Sequence, residues 1–227
     1  MSRSASPQPV SRAVLFDLDG VLLDTEPLYT EATQAVVGEF GKRFEWSLKR
    51  ELIGTSEDNG ARLVVERLGL PITPHEYLAR RKPFLDAAFQ RCAPMPGIEV
   101  LIDELLGLRV PVAVATSSVT ALYAAKTARH PWFERFTAVV CGDDPRVRSV
   151  KPAPDIFLAA AESVGVEPAE CVVVEDSPAG IRAGLAAGMR VVAAPDPNVS
   201  DEYVSHAHHI VRDGRALRAV LLEWLAV

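Results

Sequence analysis

Residues 13–27 read AVLFDLDGVLLDTEP. The first four, Ala13-Val14-Leu15-Phe16, form an unbroken apolar run of the kind that fills a strand covered on both faces. The run ends in Asp17-Leu18-Asp19-Gly20, which sets two carboxylates one residue apart at the strand tip. Like charges that close repel unless a cation lies between them or one of them keeps a proton. In open parallel α/β sheets ligands bind beyond the carboxyl ends of the strands. The pair therefore marks one strand end as a site.

Five more short apolar runs follow, at 110–115, 138–141, 171–174, 191–194 and 209–211. Between the later ones, residues 155–164 and 179–187 have helical patterning, and the second of these is opened by Ser177-Pro178 and closed by Gly188. Alternating strands and helices predict a parallel α/β sheet. One interval departs from this rhythm. From Pro27 to about Ala93 there is no buried strand, only helical periodicity at 28–40, 60–68 and 75–89. Pro94-Met95-Pro96-Gly97 then marks re-entry into the core. The expected organisation is a disordered terminus over 1–11, a core from 12–26 and 97–227, and a helical insertion over 27–96.

At 227 residues, 48% apolar and 24% charged, the chain has the make-up of a soluble globular protein, either one domain or one domain with another inserted. Its net charge of −6, with no long block of one sign, lacks the electrostatic footprint of a nucleic-acid binder. Cys92, Cys141 and Cys171 are odd in number and widely spaced, so no disulfide framework is read and a reducing compartment is expected. No apolar stretch reaches membrane-spanning length. The opening MSRSASPQPVSR has no apolar centre and reads as a frayed terminus, not a signal peptide. The expectation is a cytoplasmic protein, simplest as a monomer, with no nucleic-acid or membrane partner.

Each run can then be asked what it delivers at its end. The first gives Asp17 and Asp19, the second Thr116-Ser117-Ser118, and the fourth Glu175-Asp176 before a helix start; Lys151 stands between the third and fourth in VKPAPDIF. Clustered carboxylates offer an all-oxygen site to a hard cation, and Mg²⁺ typically takes few protein carboxylates together with a substrate phosphate. Hydroxyl, main-chain N–H and ammonium groups (Thr116, Ser117, Lys151) are donors for phosphoryl oxygens. The set describes phosphoryl transfer to an aspartate, a covalent strategy.

Taken in order, Asp17/Asp19 with GVLLDTE, then Thr116, Lys151 in KPAPDIF, and Glu175/Asp176 in EDSPAG resemble the four motifs of the haloacid dehalogenase superfamily, in its helical-cap phosphatase branch. The resemblance implies a Rossmann-like core, a cap formed by the insertion, and a Mg²⁺-dependent phosphate monoester hydrolase. Asp17 would be the nucleophile, and Asp19 the acid for the leaving oxygen and then the base for water. Thr116, Ser117 and Lys151 would bind phosphate. Asp17, the Asp19 carbonyl and Asp176 would hold Mg²⁺, with Glu175 in or beside that shell. Dehalogenases of the superfamily lack the second aspartate, so its presence favours phosphoryl chemistry.

ATSS, KTARH, GDDP and KPAPDIFLA are similar to phosphatases acting on pseudouridine 5′-phosphate, with glycerol- and sugar-phosphate phosphatases as relatives. Pseudouridine 5′-phosphate, or another small phosphorylated metabolite, is therefore the expected substrate. Those relatives carry a Met-Gly-Lys-Lys run where this chain has Ile53-Gly54-Thr55-Ser56-Glu57. Tyr29, Glu57, Asn59 and Arg81 are the cap-side substrate candidates.

Blander readings exist for each piece. Asp17-Leu18-Asp19-Gly20 alone suits a turn or half a calcium loop, although that loop wants a helix in front and a later glycine. Thr116-Ser117-Ser118 alone is a helix cap, and Glu175-Asp176 alone complements a helix dipole. His206, His208 and His209 read as a packed or solvated group, and Arg80-Arg81-Lys82 as a solvated helix face. Two rivals stand beside the hydrolase. One is a β-phosphoglucomutase-type mutase, which resembles this core but carries a histidine where Tyr29 stands. The other is a catalytically silent binding module.

Overall fold

The computed structural model describes residues 11–52 and 57–226. The expected disorder of residues 1–10 and the Ile53-Gly54-Thr55-Ser56 substitution of the cap loop lie outside it. Six strands, β1 (Ala13–Phe16), β2 (Val112–Ala115), β3 (Ala138–Val140), β4 (Cys171–Glu175), β5 (Arg190–Ala193) and β6 (His209–Ile210), form one sheet in the order β3-β2-β1-β4-β5-β6. Every pairing is parallel, and Val14 sits beside Val112 on one flank and Val172 on the other.

Alternation of side chains along a strand divides the apolar residues between two faces. Val14, Phe16, Val112, Val114, Val172 and Val174 pack on α5 (Ile98–Gly107) and α10 (Gly214–Leu225), through Leu101, Ile102, Leu105, Val220 and Leu221. Ala13, Leu15, Ala113, Ala115 and Val173 face the opposite way, toward Ile156 and Phe157 of α7 (Asp155–Val164) and Ile181 and Ala183 of α8 (Pro178–Ala186). Both faces are covered, which is why these strands read as continuous apolar runs. The chain winds outward from β1 in one direction and from β4 in the other. The crevice for a ligand thus falls beyond the carboxyl ends of β1 and β4.

Among the described residues four helices come between β1 and α5: α1 (Glu26–Gly38), α2 (Trp46–Leu52), α3 (Glu57–Leu68) and α4 (Pro74–Phe89). They share an apolar cluster of their own, with Val36, Val37, Ala61, Val64, Leu70 and Tyr77. Thr73 and Glu76 close a capping box at the start of α4, with Pro74 in its first turn. Where the chain leaves and re-enters the sheet domain the two passes are bonded together: the Asp24 N–H donates to the Ala93 carbonyl at 2.9 Å and that of Met95 to Leu22 at 3.0 Å.

Several sequence expectations need adjustment. Ser11, assigned to the loose terminus by composition, is buried, and its N–H donates to the Trp224 carbonyl at 3.0 Å. β3 stops before Cys141, and β4 runs on to Glu175, so that this carboxylate belongs to the strand itself. Pro178 is the first residue of α8. α2, α5, α6 (Thr120–Thr127), α9 (Asp201–Val204) and α10 have no counterpart among the helices expected. Among the described residues no helix is long and apolar enough to cross a membrane.

Phe157 is fully buried whereas Leu158, next to it on α7, is 40% exposed. Phe157→Ala is expected to destabilise the fold by about 3–5 kcal/mol through loss of packing and a residual cavity, and Leu158→Ala by within about 0.5 kcal/mol. Urea unfolding of the two variants checks the layering, and equal losses would contradict it.

Candidate active site

Asp17 follows the last residue of β1, and its N–H continues the ladder by donating to the Val174 carbonyl at 3.0 Å. This fixes its side chain at the carboxyl edge of the sheet, beside the end of β4. The Lys151 ammonium arrives there from the loop before α7. It donates to Asp17 Oδ1 at 2.6 Å, Glu175 Oε1 at 2.8 Å and the Ala115 carbonyl at 3.0 Å. Its three donors are thus matched by acceptors on three adjacent strands. The other oxygens are also held: Asp17 Oδ2 accepts from the Asp19 N–H at 3.1 Å, and Glu175 Oε2 from the Ser177 N–H at 2.8 Å and its hydroxyl at 3.0 Å.

Carboxylate oxygens of Asp17, Glu175 and Asp176 all lie within 4.8 Å of one another. Burial raises the Asp17 carboxyl to about 7; Lys151 opposes the rise, while Glu175 and Asp19 add to it. Burial, then the charges of Glu175 and Asp17, likewise push Asp176 well above the usual carboxylate range. One ammonium does not neutralise three carboxylates, and the donors are hard oxygens. The set fits a hard divalent cation. Two glycines make room for it. Gly20 has φ +73°, and a Cβ there would meet Asp176 Oδ2 at 2.5 Å; a Cβ on Gly180 would stand 1.6 Å from Glu175 Oε1.

Asp19 occupies a different environment. Its Oδ1 accepts from the Thr25 hydroxyl at 2.6 Å, and its Oδ2 from the Ser118 hydroxyl at 3.3 Å. The Lys126 ammonium, from α6, spans both oxygens at 2.6 and 2.7 Å and also bonds the Ser118 hydroxyl at 2.9 Å. Against the upward push of burial, Lys126 and then the Thr25 and Ser118 hydroxyls hold the Asp19 carboxyl below its ordinary value. Sequence reasoning did not single out Lys126. The only sign of it is its place in KTARH, a lysine on a helix whose one fully buried residue is that lysine.

A cleft of about 450 Å³ opens over these groups, between the sheet edge and α1–α4. Asp17, Asp19, Ser117, Lys151, Glu175 and Asp176 line its sheet side; Tyr29, Glu57 and Arg81 line its helical side. Thr116 is fully buried behind this wall, with its hydroxyl accepting from the Ser118 N–H at 3.1 Å. Asn59 is exposed on α3 and stands outside the lining. Within Arg80-Arg81-Lys82 the helix face is not uniformly solvated. The Arg81 side chain is largely buried, paired with Glu57 at 2.6 Å and set over the Tyr29 and Tyr77 rings. The cleft also takes in Lys49, paired with Glu26 at 3.1 Å. His206, His208 and His209 are all exposed; the rings of His208 and His209 stand edge-on to Trp224, and His208 Nδ1 accepts from the Val191 N–H.

The model of the haloacid dehalogenase-like hydrolase family matches residues 11–188. A probable pseudouridine-5′-phosphatase of Drosophila melanogaster is 41% identical over 201 residues, covering 87% of each chain. The (DL)-glycerol-3-phosphatase 2 of Arabidopsis thaliana is 39% identical over 204 residues, 87% of this chain and 85% of the relative. Among solved structures, a putative β-phosphoglucomutase from Thermotoga maritima superposes with a TM-score of 0.78 at 29% identity, over 93% of this chain and 99% of its own. The chain belongs to the haloacid dehalogenase-like hydrolases. It is a phosphatase of that family.

Gly180→Ala tests the packing of the acidic cluster. Alanine ordinarily favours a helix over glycine by up to about 1 kcal/mol, but here its methyl must displace the Glu175 carboxylate. A net loss of about 1–3 kcal/mol in urea unfolding is expected, with a fall in phosphatase activity. A variant more stable than the parent and equally active would contradict the arrangement.

Proposed function

We propose that the chain hydrolyses a small, neutral-bodied phosphate monoester, pseudouridine 5′-phosphate or a compound of that size, through an aspartyl-phosphate on Asp17. The observation that carries this is the division of two neighbouring carboxylates between two environments in one cleft: Asp17 on Lys151, Asp19 on Lys126. Paired acids whose surroundings push them apart are suited to different roles in one reaction.

In this reading an Asp17 oxygen attacks phosphorus and the bond to the leaving oxygen breaks. Asp19, whose carboxyl Lys126 holds below its ordinary value in the free site, takes up the proton that a monoanionic phosphate brings and gives it to that oxygen. The Asp19 carboxylate then takes a proton from the water that attacks the phosphorus, which releases phosphate and restores Asp17. Lys151, Thr116 and Ser117 are the phosphate-binding groups in the proposal. Lys151 brings its charge to the group being transferred, and Ser117 brings donors at the β2 tip. Thr116 acts through the Ser118 main chain, which its hydroxyl holds. Mg²⁺ held by Asp17, the Asp19 carbonyl and Asp176, with Glu175 beside them, would supply positive charge against the phosphoryl oxygens.

The helices α1–α4 are the proposed cap, turning about the passes at Asp24–Thr25 and Ala93–Gly97. Closure would exclude bulk water from the transfer step. The substrate class follows from the helical wall and the relatives. Lys49 and Arg81 already have carboxylate partners in Glu26 and Glu57, which favours an uncharged, hydroxylated leaving group over a second phosphate. Tyr29, at the position where the resembling mutases carry histidine, favours hydrolysis over transfer to a second hydroxyl. Names of the relatives, a pseudouridine-5′-phosphatase and a glycerol-3-phosphatase, support the same class.

Phosphate release from pseudouridine 5′-phosphate, uridine 5′-phosphate, glycerol 3-phosphate, 2-deoxyglucose 6-phosphate and β-glucose 1-phosphate tests the substrate class, with Asp17→Asn as the blank. One of the first four is expected to lead in kcat/KM, with chelator abolishing turnover. Isomerisation of β-glucose 1-phosphate faster than any phosphate release would overturn the reading. Mg²⁺ is expected to stabilise the wild type by roughly 2.7 kcal/mol at a hundredfold excess over Kd, read as a rise in Tm. It should leave that of Asp176→Asn unmoved, and an equal rise in both would remove Asp176 from the metal set.

A further inference from the structure

Lys126 is 1% exposed, and it is the one fully buried residue of α6. Its ammonium meets no solvent and does not line the cleft, so it touches no substrate. Most of its bonds converge on one group, and a further one joins it to the Tyr29 hydroxyl. It spans both oxygens of Asp19 at 2.6 and 2.7 Å, and it bonds the Ser118 hydroxyl, which itself reaches Asp19 at 3.3 Å. The rest of its surroundings come from the helical insertion: the ammonium lies 5.2 Å from the centre of the Tyr29 ring and 5.5 Å from that of Phe89. Those two rings meet edge-on at 5.9 Å, and Arg81 lies 5.7 Å from the Tyr29 ring in turn.

A buried ion pair is a weak device for stability alone, because desolvating both charges offsets their attraction. Its two-point hold does fix the plane and direction of a carboxylate. We propose that Lys126 is the positioning residue of Asp19: from behind the cleft it holds the carboxylate where the leaving oxygen needs a proton, and the Tyr29 and Phe89 rings seat it there only when the helical insertion rests on the sheet domain. The inference depends on the acid role proposed above for Asp19. A proton donor must lie within hydrogen-bond reach of the leaving oxygen, and a misplacement of about 1 Å costs on the order of a hundredfold.

The test compares two leaving groups within each variant. An alkoxide, from glycerol 3-phosphate, must be protonated as it departs. A nitrophenolate, from p-nitrophenyl phosphate, is a weak base and departs without that help. Lys126→Met is expected to lower kcat/KM for glycerol 3-phosphate about tenfold to a hundredfold more than for p-nitrophenyl phosphate. The excess should vanish when Lys126→Met is made in an Asp19→Asn background. Because the ratio is taken within one preparation, the amount of folded protein cancels. Lys126→Gln, which keeps a donor and much of the length, gives the same comparison if the methionine variant does not fold. If Asp19→Asn separates the two substrates while both Lys126 variants lower them equally, Lys126 is only a packing element and the inference is overturned. If Asp19→Asn itself does not separate them, the acid role of Asp19 falls, and this inference falls with it.

Discussion

Everything at the sheet edge depends on the way Lys151 offsets repulsion among carboxylates. Two unit charges about 4 Å apart repel by roughly 4 kcal/mol at the effective dielectric near a protein surface. β1 and β4 are adjacent parallel strands, so the side chains at their ends, Asp17 and Glu175, are neighbours by construction. Lys151 sits between them at 2.6 and 2.8 Å and takes its third bond from the end of β2. Without it the register of the sheet would set uncompensated charges side by side. With it the cluster still carries an excess of negative charge, which is what makes it suited to a divalent cation and, through that, to phosphate.

The same device occurs twice. Asp17 and Asp19 leave the tip of β1 one residue apart, and each meets its own buried lysine, one from the loop before α7 and one from α6. The two ammonium groups keep the carboxylates distinct. The second lysine also extends toward α1 and α4 through the Tyr29 and Phe89 rings. Sheet, acid and helical insertion are thereby in contact around one side chain. Gly20 and Gly180 are needed for a related reason, since each leaves the space a carboxylate of the cluster occupies.

Much of this was legible in the sequence, because a strand buried on both faces shows itself as an apolar run and its carboxyl end is where ligands bind. Asp17, Asp19, Lys151, Glu175 and Asp176 are all at such ends or in the loops beside them, and the structure brings them together. α4 was visible from its periodicity over 75–89, while its capping box at Thr73 and Glu76 came from the structure. Lys126 was not visible. Its partner is 107 residues upstream, and a lysine beside the apolar residues of α6 that pack on the core, Leu122, Tyr123 and Ala125, gives no sign of which way it turns. Arg81 was legible only in part: it stood among the cap-side candidates and does line the cleft, yet three consecutive cations also read as one solvated face, although a helix turns about 100° per residue and only the middle one points inward. The burial of Thr116 behind the cleft wall also depends on local backbone geometry, through its bond from the Ser118 N–H, which residue types do not encode.

The most direct measurement is the partition of the transferred phosphoryl group between water and added methanol. Turnover would be followed with several monoesters whose leaving groups differ, among them p-nitrophenyl phosphate and glycerol 3-phosphate. A shared aspartyl-phosphate on Asp17 requires one ratio of methyl phosphate to free phosphate for every substrate, because the leaving group has gone before the acceptor arrives. A ratio that changes with the leaving group would mean direct attack by water, and would contradict the account at its centre.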